Sequence, residues 1–429
     1  MHWIKTLVKL LFLVFVGSQA VYAAPFIPTD DQQILATLPE NSPPPRYLSS
    51  ADFASDKQES NLDQTSQLLE RAYLQGDPRA LGQARAQLNQ STDNSIDALM
   101  LQARAFQSDH KFAEATERLK QILDQEPAHP DALLTLSSLL LVQGQFTEAM
   151  RYCKKLNDPD LRVYELACAA QIQTMTGELD TAKKTLSALA AIAPGLDAST
   201  ARWVYLIQAD AALRSHDTAL ATQVFGTMDD QTVPALMARA DWLLSIGEYK
   251  KVRELLKTHT EKDALLLRLI TAQMALNDPK AKQNLALMKE RINVWQIRQE
   301  DAHMREQATY ALLTNQVDSA LQLAQENWQQ QRETADIVLY ATAAIKADSQ
   351  KDIELIREFI ADTQFEYPAL ERALREGKIS DCLHCQAASK RQSSLQAANA
   401  SVHSNQVHGN QVSTKAYTWM PVKHKDETL

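Results

Sequence analysis

Glycine is scarce in this chain, ten residues in 429. There is no Gly-rich phosphate loop, no nucleophile elbow and no paired-histidine zinc helix, so the usual nucleotide, acyl-transfer and metalloprotease sites have no candidate. Alternating apolar–polar stretches are rare, which argues against a sheet. Four cysteines are too few for a disulfide scaffold. Beyond the first residues no run is apolar enough to cross a membrane. Basic charge is also short, 44 Lys and Arg against 53 Asp and Glu, for a net charge of −9. An acidic surface repels phosphate backbones, so nucleic acid is not an expected partner.

What remains is rich in Ala, Leu, Gln, Glu, Lys and Arg, the composition of an all-α protein. Residues 1–23 read as a signal peptide. Lys5 and Lys9 precede the apolar run Leu10–Val16, and Val21-Tyr22-Ala23 offers small-residue cleavage positions, with the cut after Ala23. An uncleaved anchor is the lesser reading, because the apolar run is short. The expected location is the periplasm of a bacterium. Removing Lys5 and Lys9 takes the charge to −11. The segment from Gln386 carries +3, so residues 24–385 hold about −14.

Residues 24–60 are rich in Pro, Asp and Ser. Pro43-Pro44-Pro45 and the prolines before it forbid a long helix. An extended leader lying along the first helices and a disordered segment are equally good readings. From residue 61 to 378 apolar residues recur at helical spacing. Residues 379–429 lose that period and read as a disordered tail that begins with a Cys-x-His-Cys string. In the tail Trp419-Met420-Pro421 is an apolar island; docking somewhere is the lesser reading and an unattached tail the better one.

Within 61–378 one pattern repeats in step. Phe112, Glu114 and Ala115 return 34 residues later as Phe146, Glu148 and Ala149. A fixed period of this size marks stacked helical hairpins. Leu99, Ala103 and Phe106 form one face of a first helix; Ala115, Leu119 and Ile122 line the second, and Pro127 ends it. Small residues stand where paired helices approach: Ala103 or Ser137, and Ala115 or Ala149. Turn strings then recur at Gly76, His110, Gly144, Gly177, His216, Gly247, Asn277, Asn315 and Ala347–Lys351, which gives about eight to nine hairpins. Ala182 and Ala219 are read as the next small residues after Ala149, and Leu68, Leu69, Ala72 and Tyr73 as one apolar face. Bends are expected after Pro194 and near Asn277, where the register loosens. The helix from Pro368 to Gly377 is expected to cap the array.

This layout resembles the tetratricopeptide repeat, with Ala103, Phe106, Ala115 and Pro127 at its small, aromatic, small and proline positions. Leu99 and Ala103 stand where the family commonly has Trp and Gly. The strings GDPRALGQA from Gly76 and ENWQQQRETADIVL from Glu326 are similar to uncharacterised exported tetratricopeptide proteins of proteobacteria. The resemblance implies a right-handed superhelical solenoid with disordered ends, and a grooved inner face that takes an extended peptide or partner helix. By register Arg104, Gln107, Ser138, Leu141, Gln171 and Asp241 belong to that face. Each taken singly is equally a solvating residue.

Candidate chemistry is thin. Cys382, His384 and Cys385 are weak candidates for a soft metal or a redox dithiol, but a zinc site needs a fourth ligand. A disulfide, or two incidental cysteines, explains the pair more simply. Cys153 and Cys168 fall on adjacent helices of neighbouring units, where a disulfide fits. Their spacing does not fix the separation such a bond requires, and two buried thiols are the preferred reading. His303 with Glu300 and Glu306 reads as a solvated helix face, and His403, His408 and His424 as polar filler. No cofactor and no catalytic constellation is expected. The leading functional expectation is a non-catalytic scaffold holding an envelope protein or peptide; the competitor is a metal- or thiol-handling accessory using Cys382, His384 and Cys385.

Overall fold

The computed structural model describes residues 58–378, other than 229 and 299–302. The signal peptide, residues 24–57 of the leader, the cysteine string at 382–385, the tail histidines, Trp419 and Glu300 lie outside the described residues, and the last three residues assigned to the leader instead begin the first helix at Gln58. Among the described residues there are nineteen α-helices and no strand. They belong to one compact unit that begins at Gln58. No described helix is long and apolar enough to cross a membrane.

Eighteen helices pair into nine hairpins. The first two are α1 (Gln58–Gln75) with α2 (Pro78–Gln90), and α3 (Ile96–Ser108) with α4 (Phe112–Gln125). Then come α5 (Pro130–Val142) with α6 (Phe146–Cys153), α7 (Arg162–Gln173) with α8 (Leu179–Ile192), and α9 (Ala198–Ser215) with α10 (Thr218–Thr227). The remainder are α11 (Val233–Ser245) with α12 (Tyr249–Leu256), α13 (Asp263–Ala275) with α14 (Lys280–Arg298), α15 (Met304–Leu313) with α16 (Val317–Trp328), and α17 (Thr334–Lys346) with α18 (Gln350–Thr363). Helix α19 (Pro368–Glu376) closes the series. This is the all-α, tetratricopeptide-like helical repeat solenoid that the sequence implies.

Each hairpin turns on one residue in the left-handed conformation: Gly76, His110, Gly144, Gly177, His216, Gly247, Asn277, Asn315 and Asp348, all with φ between 50° and 75°. Only Gly avoids a steric cost there, and Asn, Asp and His tolerate it better than other residues. The turn satisfies carbonyls left open at the end of the first helix. Lys111 N–H donates to the Phe106 carbonyl at 2.9 Å, and Gln145 N–H to that of Leu140 at 2.8 Å, the six-residue closure of a Schellman cap. The small residues behave as the register requires. Ala103, Ala115 and Ala149 are completely buried. In the fifth hairpin the buried residue is Ala221, not Ala219, which is exposed; the repeat there is two residues longer than the sequence register gives. The extra length near Pro194 and Asn277 goes into longer helices, α9 with 18 residues and α14 with 19.

A stacked array ordinarily buries apolar surface only between neighbours. Here the last hairpins also pack on the early ones. Phe146 of α6 meets Phe359 edge-on and Phe365 in a stack, each at 6.3 Å between ring centres. One continuous core joins hairpins two and three to α16–α19. The contacts run along successive turns. Lys262 donates to the Gly76 carbonyl at 3.1 Å. Arg332 donates through its backbone to Val142 at 2.7 Å and through its guanidinium to Gln143 at 3.2 Å. Glu366 N–H donates to the Met175 carbonyl at 2.8 Å. Arg214, fully buried, donates to the Glu366 carbonyl at 2.9 Å and to Thr334, and lies over the rings of Phe365 and Tyr367. Helix α19 does cap α17, but it does so inside this junction, with Leu370 and Ala373 buried.

Candidate partner-binding face

The first helices of hairpins one to five bring Tyr73, Gln107, Leu134, Ser138, Leu141, Gln171 and Trp203 around one cavity of about 300 Å³. Four of the six residues assigned to the inner face by register, Gln107, Ser138, Leu141 and Gln171, therefore meet. Tyr73 and Trp203 form its aromatic walls. Trp203 Nε1 donates to Gln171 Oε1 at 3.0 Å, which fixes the indole and leaves the Gln171 amide nitrogen as a donor. Leu141 is buried and supplies an apolar floor.

Tyr73 is not the core residue that its helix pattern predicts. Its side chain is 62% exposed. Its hydroxyl pKa is nevertheless pushed up, first by burial and then by Glu333, against a lowering by Arg202. Area and electrostatics differ because the ring stands in a concavity: solvent reaches its surface while protein surrounds it at longer range.

The other two assigned residues lie apart from the cavity. Arg104 is largely exposed and faces Asp131 at 3.8 Å. Asp241 is held by both arms of Arg268 at 2.7 Å, a bidentate pair between neighbouring hairpins. Sequence reasoning missed Tyr73, Leu134 and Trp203. The signal for Trp203 was present, since it lies 32 residues after Gln171, close to one repeat.

Elsewhere the charged and sulfur groups have structural roles. Arg305 donates to Asp336 at 2.6 and 2.7 Å, to Gln331 at 2.8 Å and to Glu333 at 2.5 Å. Burial opposes its charge, but Asp336 and Glu333 outweigh burial and hold its pKa above the ordinary arginine value. Gln331 passes the network to His110, whose Nδ1 lies 2.6 Å from the Gln331 amide nitrogen. Because Arg305 occupies the Gln331 oxygen, that nitrogen must donate and His110 Nδ1 must accept. Burial, with help from Arg305, lowers the His110 pKa below the usual imidazole range. Cys153 and Cys168 are joined as a disulfide with Cα atoms 5.6 Å apart, against the preferred reading as free thiols. The helix packing supplies the separation that sequence spacing leaves open. His303 is not on a solvated helix face; it precedes α15 and stacks on Trp295 at 4.1 Å. No group of three metal-ligating side chains occurs among the described residues. A larger cavity of about 720 Å³ lies between α12 and α14. Two of its cations, Arg253 and Lys257, are paired with Glu254 and Asp278.

Residues 107–162 match the tetratricopeptide repeat family. No curated protein matches the chain. The match falls on hairpins two and three, where the 34-residue register is strictest, and with nine hairpins turning on the same backbone conformation it supports a tetratricopeptide repeat protein.

Proposed function

We propose that this protein is a non-catalytic scaffold or adaptor of the bacterial envelope that holds a protein or peptide segment on its inner face. The observation that carries this reading is the convergence of Gln107, Ser138, Leu141 and Gln171, from three successive hairpins, on one cavity walled by Tyr73 and Trp203. Extended repeat surfaces typically bind rather than catalyse, since they offer area without a reactive constellation. Amide and hydroxyl groups along an apolar wall suit the backbone of an extended peptide, which needs donors and acceptors at intervals. Export is supported by the signal-like residues 1–23 and by the Cys153–Cys168 bond, which persists in oxidising compartments.

Crosslinking and affinity capture from envelope fractions test the reading. The full-length chain should retain a defined partner that Tyr73→Ala loses, while the exposure of Tyr73 leaves the fold of the variant intact. Retention of the same proteins by wild type and variant sinks the assignment of this face. The competing metal or thiol function rests on Cys382, His384 and Cys385. Stoichiometric metal in the full-length protein, lost in Cys382→Ser, would favour it instead.

A further inference from the structure

We propose that the inner cavity is the docking site of this chain's own segment Lys415–Lys425, so that the tail competes with an outside partner. The inference rests on the reading of the inner face as a docking surface and adds its occupant.

The cavity sets the chemistry. Its walls are aromatic and apolar, its polar groups are uncharged amides and hydroxyls, and at about 300 Å³ it is at the lower end for a ligand site, about 300–1,000 Å³. It therefore takes one large apolar side chain with some backbone, and no buried charge. Its surroundings add a sign. Arg202 and, less strongly, Glu333 act on the Tyr73 hydroxyl; Arg202 is offset by Asp230 at 2.5 Å, whereas Glu333 shares the single guanidinium of Arg305 with Asp336. Two carboxylates on one cation leave a negative charge in excess, and the Glu333 side chain is 39% exposed. A fitting ligand thus has an aromatic centre and basic flanks.

The sequence from Gln386 onward holds one such stretch. Tyr417 and Trp419 are its only Tyr, Trp or Phe residues; they sit in Tyr417-Thr418-Trp419-Met420-Pro421-Val422, with Lys415 before and Lys423 and Lys425 after. Aromatic rings supply large contact area at small entropic cost, and Pro421 favours an extended backbone. Lys415 is 37 residues beyond Lys378, at the end of α19. At roughly 3.3 Å per residue that length spans more than a domain diameter. Helix α19 follows Tyr367, which lies beneath Arg214 of α9, the same helix that carries Trp203. Attachment to the array also raises the local concentration of the segment to the order of millimolar, so weak intrinsic affinity suffices for occupancy.

The test uses a fluorescently labelled peptide with the sequence of residues 413–427, read by anisotropy against full-length proteins. It should bind Trp419→Ala, whose site is vacant, at least ~10-fold more tightly than wild type, whose tail occupies the site. Adding Tyr73→Ala to Trp419→Ala should abolish that binding. Equal affinity for wild type and Trp419→Ala overturns the proposal, as does binding indifferent to Tyr73→Ala or no binding at all. Wild-type affinity that rises on dilution of the protein means the tail belongs to a second copy, which also overturns it. If Tyr73-dependent capture of an envelope partner persists while the peptide fails, the tail proposal alone is lost; if both fail, the docking surface itself is wrong.

Discussion

Gly144 and Gly177 occupy the same place in adjacent hairpins, with φ of 75° and 74°. A methyl group at either meets the same backbone penalty, roughly 1–2 kcal/mol for a residue with a Cβ in the left-handed region. Part of it, about 0.4–1 kcal/mol, is offset because alanine narrows the unfolded ensemble. What differs is the space. At Gly177 a Cβ meets only the end of the Glu366 side chain, 3.7 Å away. At Gly144 it meets two ring carbons of Phe359 at 2.9 Å and Arg332 Cβ at 3.2 Å. Phe359 cannot swing aside freely, because Trp328 packs edge-on at 4.9 Å and Phe146 lies on another side. Overpacking of this kind adds about 1–3 kcal/mol. Gly177→Ala should therefore cost about 1 kcal/mol and Gly144→Ala about 2–4 kcal/mol. Urea unfolding followed by far-ultraviolet circular dichroism gives the midpoints. Hydrogen exchange places the damage, which for Gly144→Ala should concentrate in α18 and α19, more than 200 residues away in sequence. In a Phe359→Leu background the excess cost of Gly144→Ala should fall. Equal midpoints for the two single variants, or exchange losses confined to hairpin three, would refute closure of the array through this contact.

Three further outcomes follow from the same junctions. His110 has a lowered folded pKa, so the unfolded chain takes the proton first. Stability is then complete above about pH 6.5 and declines as pH falls below it, and His110→Gln should flatten this part of the urea-midpoint profile between about pH 7.5 and 5.5. Replacing both Cys153 and Cys168 by Ser frees a 15-residue loop, which should cost about 3 kcal/mol in the same assay, the loss expected for a closed loop of this length; no change in midpoint would mean the thiols are free in solution. Arg305→Met leaves the buried Asp336 carboxylate without its cation and should cost about 3–5 kcal/mol, of which Asp336→Leu in the same chain restores a part despite the lost cap on α17; a greater loss in the double variant would contradict the pairing.

The hairpins were legible because their demands are local. A left-handed turn admits few residue types, and Gly, His, Asn or Asp stands at every one of the nine turns. Close helix approach admits only small side chains, and Ala103, Ala115, Ser137 and Ala149 supply them. Gln107, Ser138, Leu141 and Gln171 line one cavity, while Arg104, in the same strict register, turns instead to Asp131, and Asp241 lies beyond the lengthened fifth unit. Tyr73 was misread because the outer edge of an apolar stripe and the wall of a concavity have the same period. Closure was not legible at all. Nothing local to Phe359, Phe365 or Tyr367 indicates that they meet Phe146 and Arg214.

Closure changes where such an array is weakest. In an open stack the terminal repeats have one neighbour and open first. Here the last hairpin shares the largest core with hairpins two and three, and α19 seals it. The thin place lies in the middle. Between α9–α10 and α11 the buried apolar cluster contains Ala212, Ala221 and Trp242 alone, with half-buried neighbours around it. Polar ties supplement it, Arg239 donating to the Phe225 carbonyl at 2.5 Å and Arg202 to Asp230 at 2.5 Å. Hydrogen bonds of this kind contribute about 1–3 kcal/mol each, less than burial of two or three large side chains. Curvature of the inner face is thus set rigidly on the side of Gln107 and Ser138 and less so beyond Trp203. A ligand that bridges from the Tyr73–Trp203 cavity toward Asp241 crosses that softer joint, whereas one confined to the cavity meets a face already organised to receive it.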